Sequence, residues 1–280
     1  MKKGLYILAL ALFVTVASAP GITFAQLTLY DNFNSPTHLL DSNKWWGTFL
    51  SGTGIEVGQR IDAGKLRMTF RSFGGLAAAN PAGTFFSSLG TPLRNDTGKT
   101  LQATIEIVDF AALSCPGNPD STFIRAEIRG GFFNTGTPVP NSYLNDVHAG
   151  VIFVRNSNNP SLDAIDIYGE MGRCNDANCS DFREIQNRPL GAISCPGRIC
   201  PPVTVRLTWD QAANTFRFLR VASPANIEQT VTYAYADNIL ASRRYRSLSV
   251  PQFVANCTAA AGGVRRGFMD VLFDNVYTAP

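Results

Sequence analysis

The sequence predicts an all-β protein built as an antiparallel β-sandwich, on three observations. Short alternating or β-branched runs recur along the chain, turn residues (Gly, Pro, Asn, Asp) interrupt them about every ten residues, and helical periodicity is almost absent. The runs, in order, are "KLRMTFRS", "LQATIEIVDF", "TFIRAEIRG", "HAGVIFVRN", "DAIDIYGE", "VTVRLTWD", "NTFRFLRVA", "QTVTYAYA", "SLSVPQFVAN" and "FMDVLFDNVYT". Alternation assigns each strand two faces. Leu66, Met68 and Phe70 oppose Arg67, Thr69 and Arg71, and Val203, Val205, Leu207 and Trp209 oppose Thr204, Arg206 and Thr208. In "STFIRAEIRGGFFN" the same rule places Arg125, Glu127 and Arg129 on one side, expected to be the wet side, against Ala126, Ile128 and Gly130.

The ends and the cysteines set the compartment. "MKK", the apolar "GLYILALALFVTV" and the ending "ITFA" read as a signal peptide spanning residues 1–25, with cleavage after Ala19 as the alternative. No later segment reaches the roughly 18 to 20 apolar residues of a membrane span, so no span is expected once the signal is removed. The expected product is secreted or periplasmic. Residues 26–280 form the expected single sandwich domain, since an all-β chain of this length can be one unit. All six cysteines lie in that part, which makes disulfides the default. The spacing of "CNDANC" and "CPGRIC" predicts local bridges Cys174–Cys179 and Cys195–Cys200, with Cys115 left for Cys257; a four-cysteine zinc site is the rival. Residues 134–146 and a Cys-rich stretch around 172–202 break the alternation and are expected to be surface loops.

Charge excludes some partners. The 24 basic residues, less Lys2 and Lys3, stand against 21 acidic ones, a net charge near +1. Nucleic acid and anionic membrane both need a basic excess, so neither is an expected partner.

The start of the exported part, "LYDNFNSPTHLLDSNKWWG", with Asp31, Phe33, Asn34, Asp41, Lys44 and Trp45, resembles the first strand of the concanavalin A-like lectin/glucanase superfamily. "RIDAGKLRMTFRS", "TVRLTWDQAANTFRF" and "FDNVYTAP" resemble its hairpins and closing strand. The resemblance implies a jelly-roll sandwich and a polysaccharide or glycan as partner; fold alone assigns no activity. It also implies a structural calcium ion near Asp274 and Asp31, with no other cofactor required.

Two catalytic strand patterns have partial counterparts in the chain. Glucanases of this superfamily carry a Glu-x-Asp-x-(x)-Glu strand whose outer carboxylates act on the sugar. The nearest stretch, "DAIDIYGEM", has Ala164 at the first position and Glu170 one residue too far, while Glu106 and Asp109 lie on opposite faces. "RAEIR" followed by His148 in "DVHAG" is similar to the Arg-x-Glu-Leu-Arg and Gln-Ile-His strands of alginate-lyase-type jelly rolls. There arginine neutralises the uronate and a His or Tyr takes the C5 proton. Asp146 stands where that pattern has Gln, and no Tyr-Phe-Lys-x-Gly-x-Tyr stretch occurs. The aromatics Trp45, Trp46 and Trp209 are expected mostly in the core. The leading expectation is therefore a lectin-like carbohydrate-binding or cell-surface interaction protein, with Arg125, Glu127, Arg129, His148, Asp166 and Tyr168 as ligand-binding candidates. The alternatives are a polysaccharide lyase or glycoside hydrolase acting on an acidic polysaccharide, and a purely structural extracellular protein.

Overall fold

Alternating side chains need two sheets to cover one another, and two large antiparallel sheets carry the fold. The computed structural model describes residues 26–73, 76–77, 82–95, 97–258 and 266–280; the expected signal peptide, residues 1–25, lies outside them. Numbered along the chain, the described strands begin with β1 (Thr28–Asp31), β2 (Phe49–Ser51), β3 (Ile55–Asp62), β4 (Lys65–Ser72), β5 (Leu76–Ala77) and β6 (Thr84–Pro92). Next come β7 (Thr100–Ala112), β8 (Phe123–Asn134), β9 (Asp146–Asn156), β10 (Ala164–Cys174), β11 (Phe182–Ser194) and β12 (Val203–Asp210). The last are β13 (Thr215–Arg220), β14 (Ile227–Thr232), β15 (Leu240–Ala255), β16 (Cys257–Thr258) and β17 (Gly267–Ala279). One sheet runs β14-β13-β12-β7-β17-β4-β3, with β1 also paired to β17; the other runs β11-β10-β9-β8-β15-β6-β2. The chain is an all-β antiparallel sandwich of jelly-roll type. Among the described residues no helix is long and apolar enough to cross a membrane.

The core lies between the two sheets. Leu66, Met68 and Phe70 of β4, and Val205 and Leu207 of β12, meet Ile124, Ala126 and Ile128 of β8 and Val151 and Phe153 of β9 in one buried cluster. Each of the larger side chains among these contributes roughly 1.5–3 kcal/mol when taken from water, which makes the alternation binding on register.

Two expectations are corrected, and a third, that the tryptophans are mostly core, is made specific. The Cys-rich stretch around 172–202 is not a loop throughout, because it contains the 13-residue edge strand β11. That strand pairs only with β10, is mostly exposed, and is interrupted by register shifts at Asp166/Tyr168 and Met171/Arg173, so no clean alternation marks it in sequence. Trp46 is exposed while Trp45 and Trp209 are buried: the bridge from Trp45 to Leu93 sends Trp45 inward and its neighbour outward. The row Arg125–Glu127–Arg129 does lie opposite the core face, but Glu127 is buried rather than wet.

The six cysteines form the bridges Cys115–Cys257, Cys174–Cys179 and Cys195–Cys200. The first closes a 142-residue separation, where loop-closure entropy is largest.

Candidate functional site

Strand register brings the candidate residues together on the outer face of the seven-stranded sheet. Three rows cross the strands. Ser247 of β15 faces Arg129 of β8, which faces Gly150 of β9, which faces Glu170 of β10. One step along, Phe49 (β2), Gly90 (β6), Ser249, Glu127, Ile152 and Tyr168 stand side by side. On the other side of the first row, Tyr245, Gly131, His148 and Gly172 follow one another. Asp166 lies two residues before Tyr168 on β10, opposite Val154, which faces Arg125.

Arginines and glutamates in this grid neutralise one another. Arg129 donates to Glu170, Arg125 Nη1 lies 3.7 Å from Glu170 Oε2, and Arg129 Nε lies 3.3 Å from Glu127 Oε1, out of line for a hydrogen bond. Ser249 Oγ donates to Glu127 Oε1 at 2.9 Å, while Glu127 Oε2 is buried and receives no hydrogen bond from the protein. Gly150 makes the main contact possible: a Cβ there would stand 2.9 Å from Ile128 O and 3.4 Å from Arg129 Cβ, so its absence lets Arg129 cross β9 to reach β10. The side chains of Arg125, Glu127, Arg129 and Glu170 are 21%, 5%, 15% and 4% exposed. Burial pushes the Glu170 carboxyl up, but the Arg129 and Arg125 charges and the Arg129 hydrogen bond outweigh it and hold it below its ordinary value. Burial likewise opposes the charge on Arg129, and Glu127 and Glu170 overcome it, raising that guanidinium. Two cations and two anions leave the row without net charge.

His148 stands beside this row but is sealed. Its Nδ1 is 3.1 Å from the Tyr245 hydroxyl, and its Nε2 is 3.7 Å from Cys174 Sγ. Tyr143 and Phe182 approach its ring at 5.5 and 6.3 Å, and Phe182 also lies 5.5 Å below the Arg129 guanidinium carbon. Burial first, then the Arg129 and Arg246 charges, lower the His148 pKa to about 3, so the imidazole is neutral. Burial raises the Tyr245 hydroxyl above its ordinary value. At 3% exposure, with Nδ1 against the Tyr245 hydroxyl and Nε2 against Cys174 Sγ, the imidazole presents neither nitrogen at the open surface of the sheet.

The other part of the face is open and aromatic. Phe49, Phe86 and Trp46 are 40%, 48% and 64% exposed. The Phe49 ring lies over Gly90, in space that a Cβ would fill. Phe86 packs on Phe253 with centroids 4.9 Å apart, and Arg125 sits 5.2 Å from the Phe253 ring. The Arg94 guanidinium stacks 4.0 Å from Trp46. Tyr168 is half-buried, its hydroxyl raised by burial and then by Asp166.

Asp31 and Asp274 lie elsewhere, on the other sheet. Asp31 Oδ2 accepts from Trp45 Nε1 at 2.7 Å and Oδ1 from Phe33 N at 2.9 Å, with Lys44 Nζ at 3.5 Å. Asp274 Oδ1 accepts from Asn275 N and its carboxyl is raised by burial. Sequence reading missed Glu170 as the shared partner of two arginines, and it missed Tyr245, Tyr143, Phe182, Phe49 and Phe86. The alternation of "YRSLSVPQF" puts Tyr245, Ser247, Ser249 and Phe253 on one face, yet which strand stands beside which is set by long-range register.

No protein-family model matches the chain, and no curated protein matches it in sequence. Among solved structures the chain is similar to the GlcNAcα1-4Gal-releasing endo-β-galactosidase from Clostridium perfringens, at 10% identity over 90% of this chain and TM-score 0.44. It spans 62% of that enzyme's chain, less than two thirds. It is also similar to the alginate lyase from Klebsiella pneumoniae (12% identity, 79% of this chain and 84% of that one, TM-score 0.41). A third is a legume lectin-like domain from Entamoeba histolytica (8% identity, 84% and 91%, TM-score 0.37).

Proposed function

We propose that the protein is an exported, lectin-like carbohydrate-binding protein whose ligand lies across the open part of the outer face of the seven-stranded sheet. One observation carries the reading: Trp46, Phe49 and Phe86 keep large rings in solvent at the β2/β6 side of that face, next to polar rows rather than in the core. Exposed rings beside fixed polar groups suit sugars, which present an apolar C–H face for stacking and hydroxyls around the rim. Arg125, 5.2 Å from the Phe253 ring, is the polar group beside the rings. Tyr168 and Asp166 lie on β10, four strands or roughly 19 Å from β6, so a ligand touching both ends is an oligosaccharide of several residues. Because the arginines are already matched by Glu127 and Glu170, the face favours neutral glycans over uronic acids.

A glycan array probed with residues 26–280 tests this. Binding to neutral oligosaccharides, weakened at least tenfold in Tyr168→Ala, is expected; no binding to any glycan sinks the reading. The lyase alternative finds support in a single contact, the Tyr245 hydroxyl against His148. It would have to use Tyr245 as its base, and ultraviolet-absorbing unsaturated product from alginate or pectate, lost in Tyr245→Phe, would establish it instead.

A further inference from the structure

The sealed end of the outer face holds a second kind of chemistry. Among the described residues, the group of three potential metal ligands whose donor atoms all lie within 4.8 Å of one another is His148, Cys174 and Cys179. His148 Nε2 already stands 3.7 Å from Cys174 Sγ. In tetrahedral zinc, with Zn–S about 2.3 Å and Zn–N about 2.0–2.1 Å, adjacent sulfur and nitrogen ligands are about 3.6 Å apart. Four residues separate the two cysteines, within the spacing that lets one loop offer both sulfurs to one ion. While the disulfide is closed, Cys174 Sγ can only accept, so Nε2–H donates to it and Nδ1 accepts from the Tyr245 hydroxyl. Once the sulfur is a thiolate bound to metal, the other tautomer applies: Nδ1–H donates to the Tyr245 oxygen and leaves the Nε2 lone pair for the metal, the outer contact that a metal-binding imidazole needs. What blocks the site is the bond between its own sulfurs.

The geometry points to a zinc site that is latent in the disulfide: a dithiol reductant opens Cys174–Cys179, and Cys174 Sγ, Cys179 Sγ and His148 Nε2 then hold one zinc ion, with water as fourth ligand. Access sets the order of events. Cys174 is fully buried and Cys179 only partly so. The reductant's thiolate therefore attacks Cys179 Sγ and expels the Cys174 thiolate beside Nε2. Its second thiol then closes on the first, leaving as a cyclic disulfide and releasing the Cys179 thiolate. Two electrons pass from the dithiol to the protein, and binding of zinc releases the two cysteine protons.

The test uses residues 26–280, reduced with dithiothreitol, desalted without oxygen, and titrated with zinc against a chromogenic chelator and with cobalt(II) as a spectroscopic probe. One zinc per chain is expected after reduction and none before, and cobalt is expected to give thiolate charge-transfer and tetrahedral ligand-field bands. His148→Gln and, independently, Cys179→Ser should each weaken binding at least tenfold, whereas Cys195→Ser/Cys200→Ser should retain it. Far-ultraviolet circular dichroism identifies any variant that has unfolded, and the remaining one then decides. Equal binding before and after reduction, no binding at all, or binding unchanged in folded His148→Gln overturns the proposal.

Discussion

Glu170→Gln is the perturbation that reads the buried charge row most cleanly. Glu170 is 4% exposed and faces both Arg129 and Arg125, so its charge works in a poorly solvated place where solvent screening offsets little. Removing it leaves two guanidinium groups facing one carboxylate, and breaking a buried pair in this way costs about 3–5 kcal/mol. Glutamine keeps the shape and one acceptor, so the lower end, about 3 kcal/mol, is expected. Glu127→Gln should cost less, since one Glu127 oxygen receives no protein hydrogen bond and Ser249 still has an acceptor. Urea denaturation followed by the fluorescence of buried Trp45 and Trp209 gives both numbers, provided the slope with denaturant is unchanged. The pH dependence adds a sign. The folded pKa of Glu170 is lowered, so its stabilisation is present above the unfolded value near 4.3 and is lost as pH falls through the folded value. Wild type and Glu170→Gln should therefore converge in acid. A loss below about 1 kcal/mol at pH 7, the size of an exposed ion pair, refutes the buried-network account.

Other outcomes follow from the same geometry. Replacing both partners by Arg129→Met/Glu170→Met should recover most of the stability lost in Glu170→Gln, because well-packed apolar pairs rival buried ion pairs; stability from denaturation curves checks it. His148 takes no proton in the folded state until about pH 3, while the unfolded chain takes one below about 6.5, so wild-type stability should rise with pH between those values. His148→Gln should flatten that rise. Cys115→Ala/Cys257→Ala should lose about 5 kcal/mol and Cys174→Ala/Cys179→Ala about 2 kcal/mol, because the second bridge closes a separation of only five residues; calorimetry separates the two. Trp45→Ala should cost about 3–5 kcal/mol, whereas Trp46→Ala should change stability by less than about 0.5 kcal/mol.

How far the sequence carries depends on whether a feature is local. Strands such as Lys65–Ser72 and Val203–Asp210 are legible because one face is buried and the other is not, which writes period two into the chain. Edge strand Phe182–Ser194 is not legible, since with neither face fully buried nothing enforces alternation. The cysteine pairs five residues apart announce themselves by spacing alone. The charged row could be seen as a row, but its burial could not. That burial arises because Gly150 lets Arg129 reach Glu170, 41 residues further on, and because Phe182 and the Cys174–Cys179 bridge close over one end. The open aromatic patch was hidden for a similar reason. Phe86 and Phe253 come from strands far apart in sequence and only register pairs them, while Phe49 of a third strand lies over Gly90, four residues further along β6 on the same face.

The most direct test of the central claim is the affinity of the array-identified neutral glycan for wild type, Phe49→Ala, Tyr168→Ala and Arg67→Ala, measured by isothermal titration calorimetry. Arg67 lies on the other sheet, paired with Asp270 and Asp62, and serves as the remote control. The account predicts that Phe49→Ala and Tyr168→Ala each weaken binding about tenfold, about 1.4 kcal/mol, while a folded Arg67→Ala binds as wild type does. Unchanged affinity in both outer-face variants would place any glycan site elsewhere and contradict the account.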